Sequence, residues 1–310
     1  MGEILGVFAA LLSSALGGTS IGATRYLVAT LDPLAIGAFR FSLGFLFLLP
    51  IAIGKRGGWP PRRDWPGITG LGLLFFALFP MLFNASLIFT TAARGALALS
   101  TLPLLTLLVG ALLRVEQLTK RKTAGVLIAM LGVGIALLAG LAGAPPGAWR
   151  GDLIMVAAAF CMALYSIWSK PFIRRCGPIP FTTMAMAVGA AALLTISWTR
   201  GSFQPVATFG TAQWLAVVYL GLFGAALTFF LWAFALERTA PTRVAISVTV
   251  NPITAALVGA VLLGEPLGSN LAIGIAAVFT GIWMATTGNN RSTEAIVSGA
   301  ADELRPGSGS

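Results

Sequence analysis

The chain has 310 residues, 57% of them hydrophobic and 10% charged, with 20 Lys and Arg, 10 Asp and Glu and no His. Soluble domains carry about a quarter charged residues, so the composition excludes an ordinary soluble enzyme. The net charge of +10 sits in short clusters between apolar runs, which is a topology signal and excludes a nucleic-acid-binding stripe.

A span needs roughly 20 apolar residues to cross about 30 Å of hydrocarbon. Ten candidate spans follow one another near 3–24, 33–53, 66–90, 94–113, 122–141, 152–170, 178–199, 212–236, 242–263 and 269–287. The expected fold class is therefore an all-α integral membrane protein in the lipid bilayer. Met1 to Leu27 is too weakly basic at its start for a cleaved signal and is expected to be the first span. The longest loop, near Gly54 to Trp65, is too short for a catalytic or nucleotide-binding domain. The stretch 288–310 is expected to be a polar cytoplasmic tail. Cys161 and Cys176 offer neither a metal spacing nor a disulfide framework, and no cofactor is expected.

Loop charges set an orientation. With the N-terminus inside, the inner loops and tail hold 15 basic residues and the outer loops 4; Arg40 lies within a span. Both termini are therefore expected in the cytoplasm, and the protein in the inner membrane.

The stretch Arg94 to Glu116 returns 149 positions later as Arg243 to Glu265, pairing Arg94 with Arg243, Pro103 with Pro252 and Glu116 with Glu265. From Arg94 to Ala136 the two copies share 13 identities in 43 aligned positions. Paired Arg, Pro and Glu at fixed spacing point to a duplication: one five-helix repeat over 1–141 and a second over 152–287. Five is odd, so the second repeat is expected upside down, the plan of secondary transporters with a site at mid-membrane.

Ten spans in two halves, with Pro103/Glu116 and Pro252/Glu265 in the fourth span of each and Arg40 in the second, resemble the drug/metabolite transporter superfamily, EamA type. The pattern is most similar to YddG-like exporters of aromatic and other neutral amino acids. That resemblance implies alternating access by a small-molecule exporter. The first span departs from it, reading Leu16-Gly17-Gly18-Thr19-Ser20 where the family has a Trp-Gly pair; Trp168-Ser169-Lys170 is an echo in the second half.

Pro103 and Pro252 each free a carbonyl one turn back, near Leu99 and Val248. Such bends line a cavity or are packing kinks; their symmetric placement favours the cavity. Pro80 is a further kink without a proline counterpart. Polar and aromatic residues at helical spacing mark faces not meant for lipid. They are Phe79, Phe83 and Asn84 in the third span, Met162 and Tyr165 in the sixth, Thr228 and Trp232 in the eighth, and Ser247 and Asn251 in the ninth. With Leu102, the counterpart of Asn251, they form the expected cavity wall, suited to a partly apolar solute. A Ser or Thr among them serves equally to bond a neighbouring helix.

Arg40 is expected to be a structural charge, because a cation in a span costs at least about 2.5–3.5 kcal/mol. Every acid lies at a span end, in a loop or in the tail. With no His, no mid-membrane titrating group remains, and transport is expected to be facilitative or weakly coupled. Glu116 and Glu265 are expected as helix-end or gate groups. Drug efflux competes within transport. Sugar-phosphate exchange would want more cavity cations than Arg40. A membrane enzyme would want a catalytic set that the sequence lacks, and a structural or receptor-like protein would leave the repeat unexplained.

Overall fold

The computed structural model describes residues 2–28, 30–54, 59–90, 92–137, 146–263 and 269–286, and every regular element among them is helical. Apolar runs of this length satisfy their backbone groups within one segment, which hydrocarbon demands. In chain order the helices are α1 (Gly2–Val28), α2 (Pro33–Gly54), α3 (Trp65–Gly72), α4 (Phe79–Phe89), α5 (Ala92–Leu99), α6 (Leu102–Leu112) and α7 (Lys120–Ala136). They continue as α8 (Ala148–Cys176), α9 (Pro178–Thr199), α10 (Thr211–Gly221), α11 (Thr228–Arg238), α12 (Pro241–Ala245), α13 (Val250–Leu263) and α14 (Ser269–Thr286).

Seven stretches among the described residues are long and apolar enough to cross a membrane: Gly2–Ser20, Pro33–Gly54, Arg62–Ser86, Arg94–Leu112, Ala148–Cys176, Pro178–Thr199 and Thr211–Arg238. The shorter Ala272–Thr286 is also apolar. The other two expected spans fall on α7, with 17 helical residues, and on the interrupted α12–α13.

The interruptions recur in register. A π-helical turn, Leu73–Leu78, joins α3 to α4, and another, Leu222–Leu227, joins α10 to α11; 222 minus 73 is the same 149. Pro80 follows the first turn, but Phe229 occupies its place after the second, so proline is not what widens them. The fourth-span pair is broken in both copies. α5 stops at Leu99 before Pro103, and a 3-10 turn, Ile246–Thr249, precedes Pro252. A proline cannot donate to the carbonyl four residues back, so the helix tightens or stops there.

Packing crosses the two halves. α2 lies against α9, and α7 against α14. In the second pair, backbones touch. A Cβ added at Gly125 would meet the Gly281 carbonyl at 2.7 Å, and one at Gly132 the Gly274 carbonyl at 2.8 Å. Outside these pairs, α1 packs on α11 and α13 of the other half, and α8 on α4 and α6. The helices therefore form two exchanged bodies, one of α1, α11, α12 and α13, the other of α4, α5, α6 and α8.

Candidate functional site

Between the bodies lies an aromatic core. Phe75 stacks on Tyr165 with ring centroids 4.1 Å apart, Phe76 and Phe229 meet this stack edge-on, and Phe41 in turn meets Phe76 edge-on and Phe229 tilted. Leu102, Met162, Tyr165 and Trp232 are all buried in this one cluster, with Phe79 packed against it. The spacing of these residues suggested an open wall. Of these, Phe79 and Tyr165 stack on Phe75, which withdraws apolar surface from water. Phe83 continues the row from Phe79 at 6.0 Å. Asn84 is partly exposed, and its Nδ2 donates to the Pro33 carbonyl at the start of α2, 3.4 Å away.

The remaining predicted residues form a polar seam between α1 and the α11–α13 segment. The Thr228 carbonyl accepts from Ser13 Oγ at 2.8 Å, and the Ser14 and Ser247 hydroxyls are 2.8 Å apart. Asn251 faces Gly17, whose added Cβ would lie 3.3 Å from Nδ2, and Thr254 is seated in Gly18. Among the described residues, neither polar atom of Asn251 has a hydrogen-bond partner, and Oδ1 is wholly buried. The Trp232 indole Nε1 is likewise buried without one. Leu102 and Asn251 hold equivalent positions in environments that differ: Leu102 is 0% exposed in the apolar core, while Asn251 is partly exposed on the seam.

Arg40 reaches from α2 into the second π-helical turn. Its Nε donates to the Gly224 carbonyl at 3.1 Å, Nη2 donates to the same oxygen, and the guanidinium lies 5.7 and 5.9 Å from the Phe41 and Phe229 ring centroids. The counterpart of Arg40 is Gly189, where α9 meets the first π-helical turn so closely that a Cβ would lie 2.2 Å from Phe76 Cβ. One copy fills this junction with a cation; the other closes it by backbone contact.

The two ends of the molecule differ. At one end, Glu116 Oε1 accepts the Thr242 backbone N–H of α12 at 2.9 Å, and Lys122 Nζ sits 3.4 Å from Oε2. The Glu116 side chain is only 4% exposed. Lys170 of α8 donates to the Thr239 carbonyl nearby. Here α12 packs on α6 and α8, and α11 packs on α8. At the other end the equivalent pairs would be α5 on α13, α5 on α1 and α4 on α1, and no comparable packing joins them among the described residues. Glu265, the counterpart of Glu116, and the 288–310 tail lie outside the described residues.

Sequence reasoning missed a pair of ion pairs. Asp152 accepts from Arg94 and, at 2.8 Å, from Thr90 Oγ1; Glu3 pairs with Arg243. Glu3 and Asp152 are themselves 149 apart, as are Arg94 and Arg243, so extending the alignment back to α1 would have found both. Each pair fastens the first helix of one half to the fourth-span segment of the other, within one body.

A groove of about 730 Å³ runs along α1, α11, α13 and α14, lined by Phe8, Leu12, Phe234, Phe279 and other apolar residues. It contains no predicted site residue, and Thr254 is the sole polar residue in its lining. A solute site needs a few convergent polar groups, and this groove offers one hydroxyl. Among the described residues no cluster of three or more His, Cys, Asp and Glu could hold a metal ion.

The chain is similar to several transporters. It is 25% identical over 273 residues to an uncharacterized transporter of Archaeoglobus fulgidus, covering 86% of this chain and 93% of that protein. A probable terminal-alkyne amino-acid exporter of Streptantibioticus cattleyicolor is 30% identical over 219 residues, 70% of this chain and 72% of that one. A probable amino-acid metabolite efflux pump of Salmonella typhimurium is 27% identical over 249 residues, 77% and 82% of the two chains. A crystal structure of a protein 24% identical shares the fold, with a TM-score of 0.75 over 92% of this chain and 97% of that chain. The profile of the EamA-like transporter family matches twice, over residues 4–138 and 149–287. The chain belongs to the EamA-like transporter family.

Proposed function

We propose that the chain is a secondary transporter that exports small amphipathic metabolites, aromatic and other neutral amino acids foremost. It works by alternating access between two five-helix repeats of opposite orientation. The reading places ten helices across the inner membrane, with both termini in the cytoplasm. The end carrying Glu116 is then cytoplasmic.

The observation that carries this reading is the difference between the two ends. Three packing contacts close the Glu116 end, and their counterparts at the Arg94 end are missing among the described residues. Two equivalent bodies packed more closely at one end, as the described residues are at the Glu116 end, suit an outward-open transporter, and rocking them would exchange the ends. The matched π-helical turns and the double match of the family profile support the repeat. The loop charges support the orientation. The names of the relatives from Streptantibioticus and Salmonella favour amino acids over other metabolites as cargo.

The solute would bind beside the aromatic core, against Phe79, Asn84, Trp232 and Asn251. Arg40 is committed to the Gly224 carbonyl and acts as scaffold. No described acid or His reaches mid-membrane, so coupling to protons is weak or absent.

Counterflow tests the reading. Protein in liposomes preloaded with an unlabelled neutral amino acid should accumulate the labelled one, and a pH gradient alone should not drive uphill uptake. Absence of flux for every amino acid tested, with folding intact, would remove its support.

A further inference from the structure

We propose that the groove along α1, α11, α13 and α14 binds one anionic glycerophospholipid of the leaflet at the Glu116 end, with an acyl chain in the groove and the phosphate on Arg238. The inference goes beyond the export reading and holds whichever solute is carried.

The groove has the length of one acyl chain. Its lining on α1 runs from Leu5 to Ala15. Ten residues of helix rise about 15 Å, which is the depth of one leaflet in a hydrocarbon core about 30 Å thick. Phe8 and Leu12 on its walls are 66% and 52% exposed. A polar head group gains nothing inside, because the one hydroxyl in the lining, that of Thr254, already donates to the Val250 and Asn251 carbonyls.

A cation stands at the mouth. The Leu5 end of the groove is the Glu116 end, since neighbouring Glu3 pairs with Arg243 of α12. Arg238 ends α11 one turn beyond Phe234, a groove residue, and its guanidinium lies 3.5 Å from the Phe234 ring centroid. Its stem rests on α1 beside Leu5: a Cβ added at Gly6 would lie 3.1 Å from Arg238 Cβ. The guanidinium is thus held over the groove wall. Nη1 is committed to the Phe234 carbonyl, at 3.3 Å, and to the Glu237 carboxylate. Nε and Nη2 have no hydrogen-bond partner among the described residues. These two donors form the edge of the fork that matches two oxygens of one phosphate. On the opposite wall, Arg121 lies over the ring of Trp283, one turn beyond the groove residue Phe279. A zwitterionic lipid brings its own ammonium to its phosphate, whereas an anionic lipid leaves the phosphate to the fork. One such cation near the surface favours the anionic lipid by about fivefold.

The test is native mass spectrometry of the detergent-purified full-length protein, titrated with dioleoylphosphatidylglycerol or dioleoylphosphatidylcholine. Wild type should bind its first phosphatidylglycerol at least fivefold more tightly than phosphatidylcholine. Arg238→Gln should lower phosphatidylglycerol affinity about fivefold, to the level of phosphatidylcholine, and leave phosphatidylcholine unchanged. Arg238→Lys keeps the charge without the fork and should retain only part of the preference. Leu12→Trp fills the groove and should weaken both lipids at least fivefold; Leu5→Trp does the same at the mouth should Leu12→Trp fail to fold. Arg62→Gln, which removes an exposed cation outside the groove, should change neither lipid. The assignment is overturned if the preference survives in Arg238→Gln, if Arg62→Gln abolishes it equally, or if the groove-filling variants bind both lipids as wild type does. Displacement of phosphatidylglycerol by millimolar inorganic phosphate would reduce the site to an anion contact without a chain. Displacement by phenylalanine would assign the groove to the solute. Either result overturns the lipid site.

Discussion

Removing the Glu116 carboxylate should loosen the closed end of the molecule. Glu116 accepts the Thr242 N–H at 2.9 Å and pairs with Lys122 at 3.4 Å, with its side chain only 4% exposed. Thr242 lies in the first turn of α12, where an orphan backbone donor and the positive end of a helix both favour a carboxylate. A hydrogen bond to a charged group contributes about 1.5–3 kcal/mol, and Lys122 adds less because it remains partly solvated. Glu116→Ala removes all of this from the state closed at the Glu116 end. If the open state lacks the contact, the balance shifts by about 1.5–3 kcal/mol, or roughly 10- to 150-fold in population. Glu116→Gln keeps an acceptor and should shift it less. The assay is cysteine accessibility. Val244, buried in α12, becomes Cys in a background without Cys161 and Cys176, and inside-out vesicles are treated with an impermeant thiol reagent. Labelling should quicken at least tenfold in Glu116→Ala and less in Glu116→Gln. Wild-type labelling rates in a well-folded Glu116→Ala would refute the latch.

Three further outcomes follow from the same packing. Arg40→Ala strips the Gly224 carbonyl of its donors inside a π-helical turn. Folded yield should fall sharply while relative preference among amino acids is kept; normal yield with selective loss of a carboxylate substrate would contradict the scaffold role. Gly281→Leu should abolish stable folding, because a Cβ at Gly281 already lies 2.5 Å from the Gly125 carbonyl; a melting temperature near wild type would disprove the close seam. Reversing one member of either ion pair, as in Arg94→Asp or Arg243→Glu, should destabilise by about 1–3 kcal/mol, since it sets like charges together at a partly buried site. The reciprocal changes, Asp152→Arg with Arg94→Asp and Glu3→Arg with Arg243→Glu, should restore melting in both bodies. Rescue in neither would show that the pairs do not hold the bodies.

The sequence carries the backbone plan well, because the constraints that build it are local. Apolar length marks helices, and Pro103 and Pro252 each follow a break, although Pro50 and Pro171 sit inside continuous helices. The 149-residue offset links positions that the fold then treats alike, down to the π-helical turns. Those turns were themselves illegible: one follows Gly72 and the other Gly221, with no residue that forces a wider turn, and they pack against α9 and α2, helices distant in sequence or in the other half. The site was half legible. Aromatic spacing marked faces that the fold turns inward, but periodicity cannot tell a ring that lines a cavity from one that stacks on Phe75, as Tyr165 does. Ser247 and Asn251 share one stripe, yet only the partner helix decides that Ser247 meets a hydroxyl and Asn251 meets a glycine. Exchange of helices between halves is the deepest omission. A repeat tells which segments are equivalent, not which ones touch.

Alternating access between the two exchanged bodies is the central claim, and paired spin-label distances test it most directly. One pair joins Tyr26 of α1 to Ile88 of α4, both exposed, at the end where the described residues show no close packing between those helices; the other joins Arg114 to Arg238, both exposed, at the Glu116 end. With an exported amino acid added to protein in liposomes, the first distance should shorten as the second lengthens, both within one population. Distances that stay fixed, or that rise and fall together, would contradict the account.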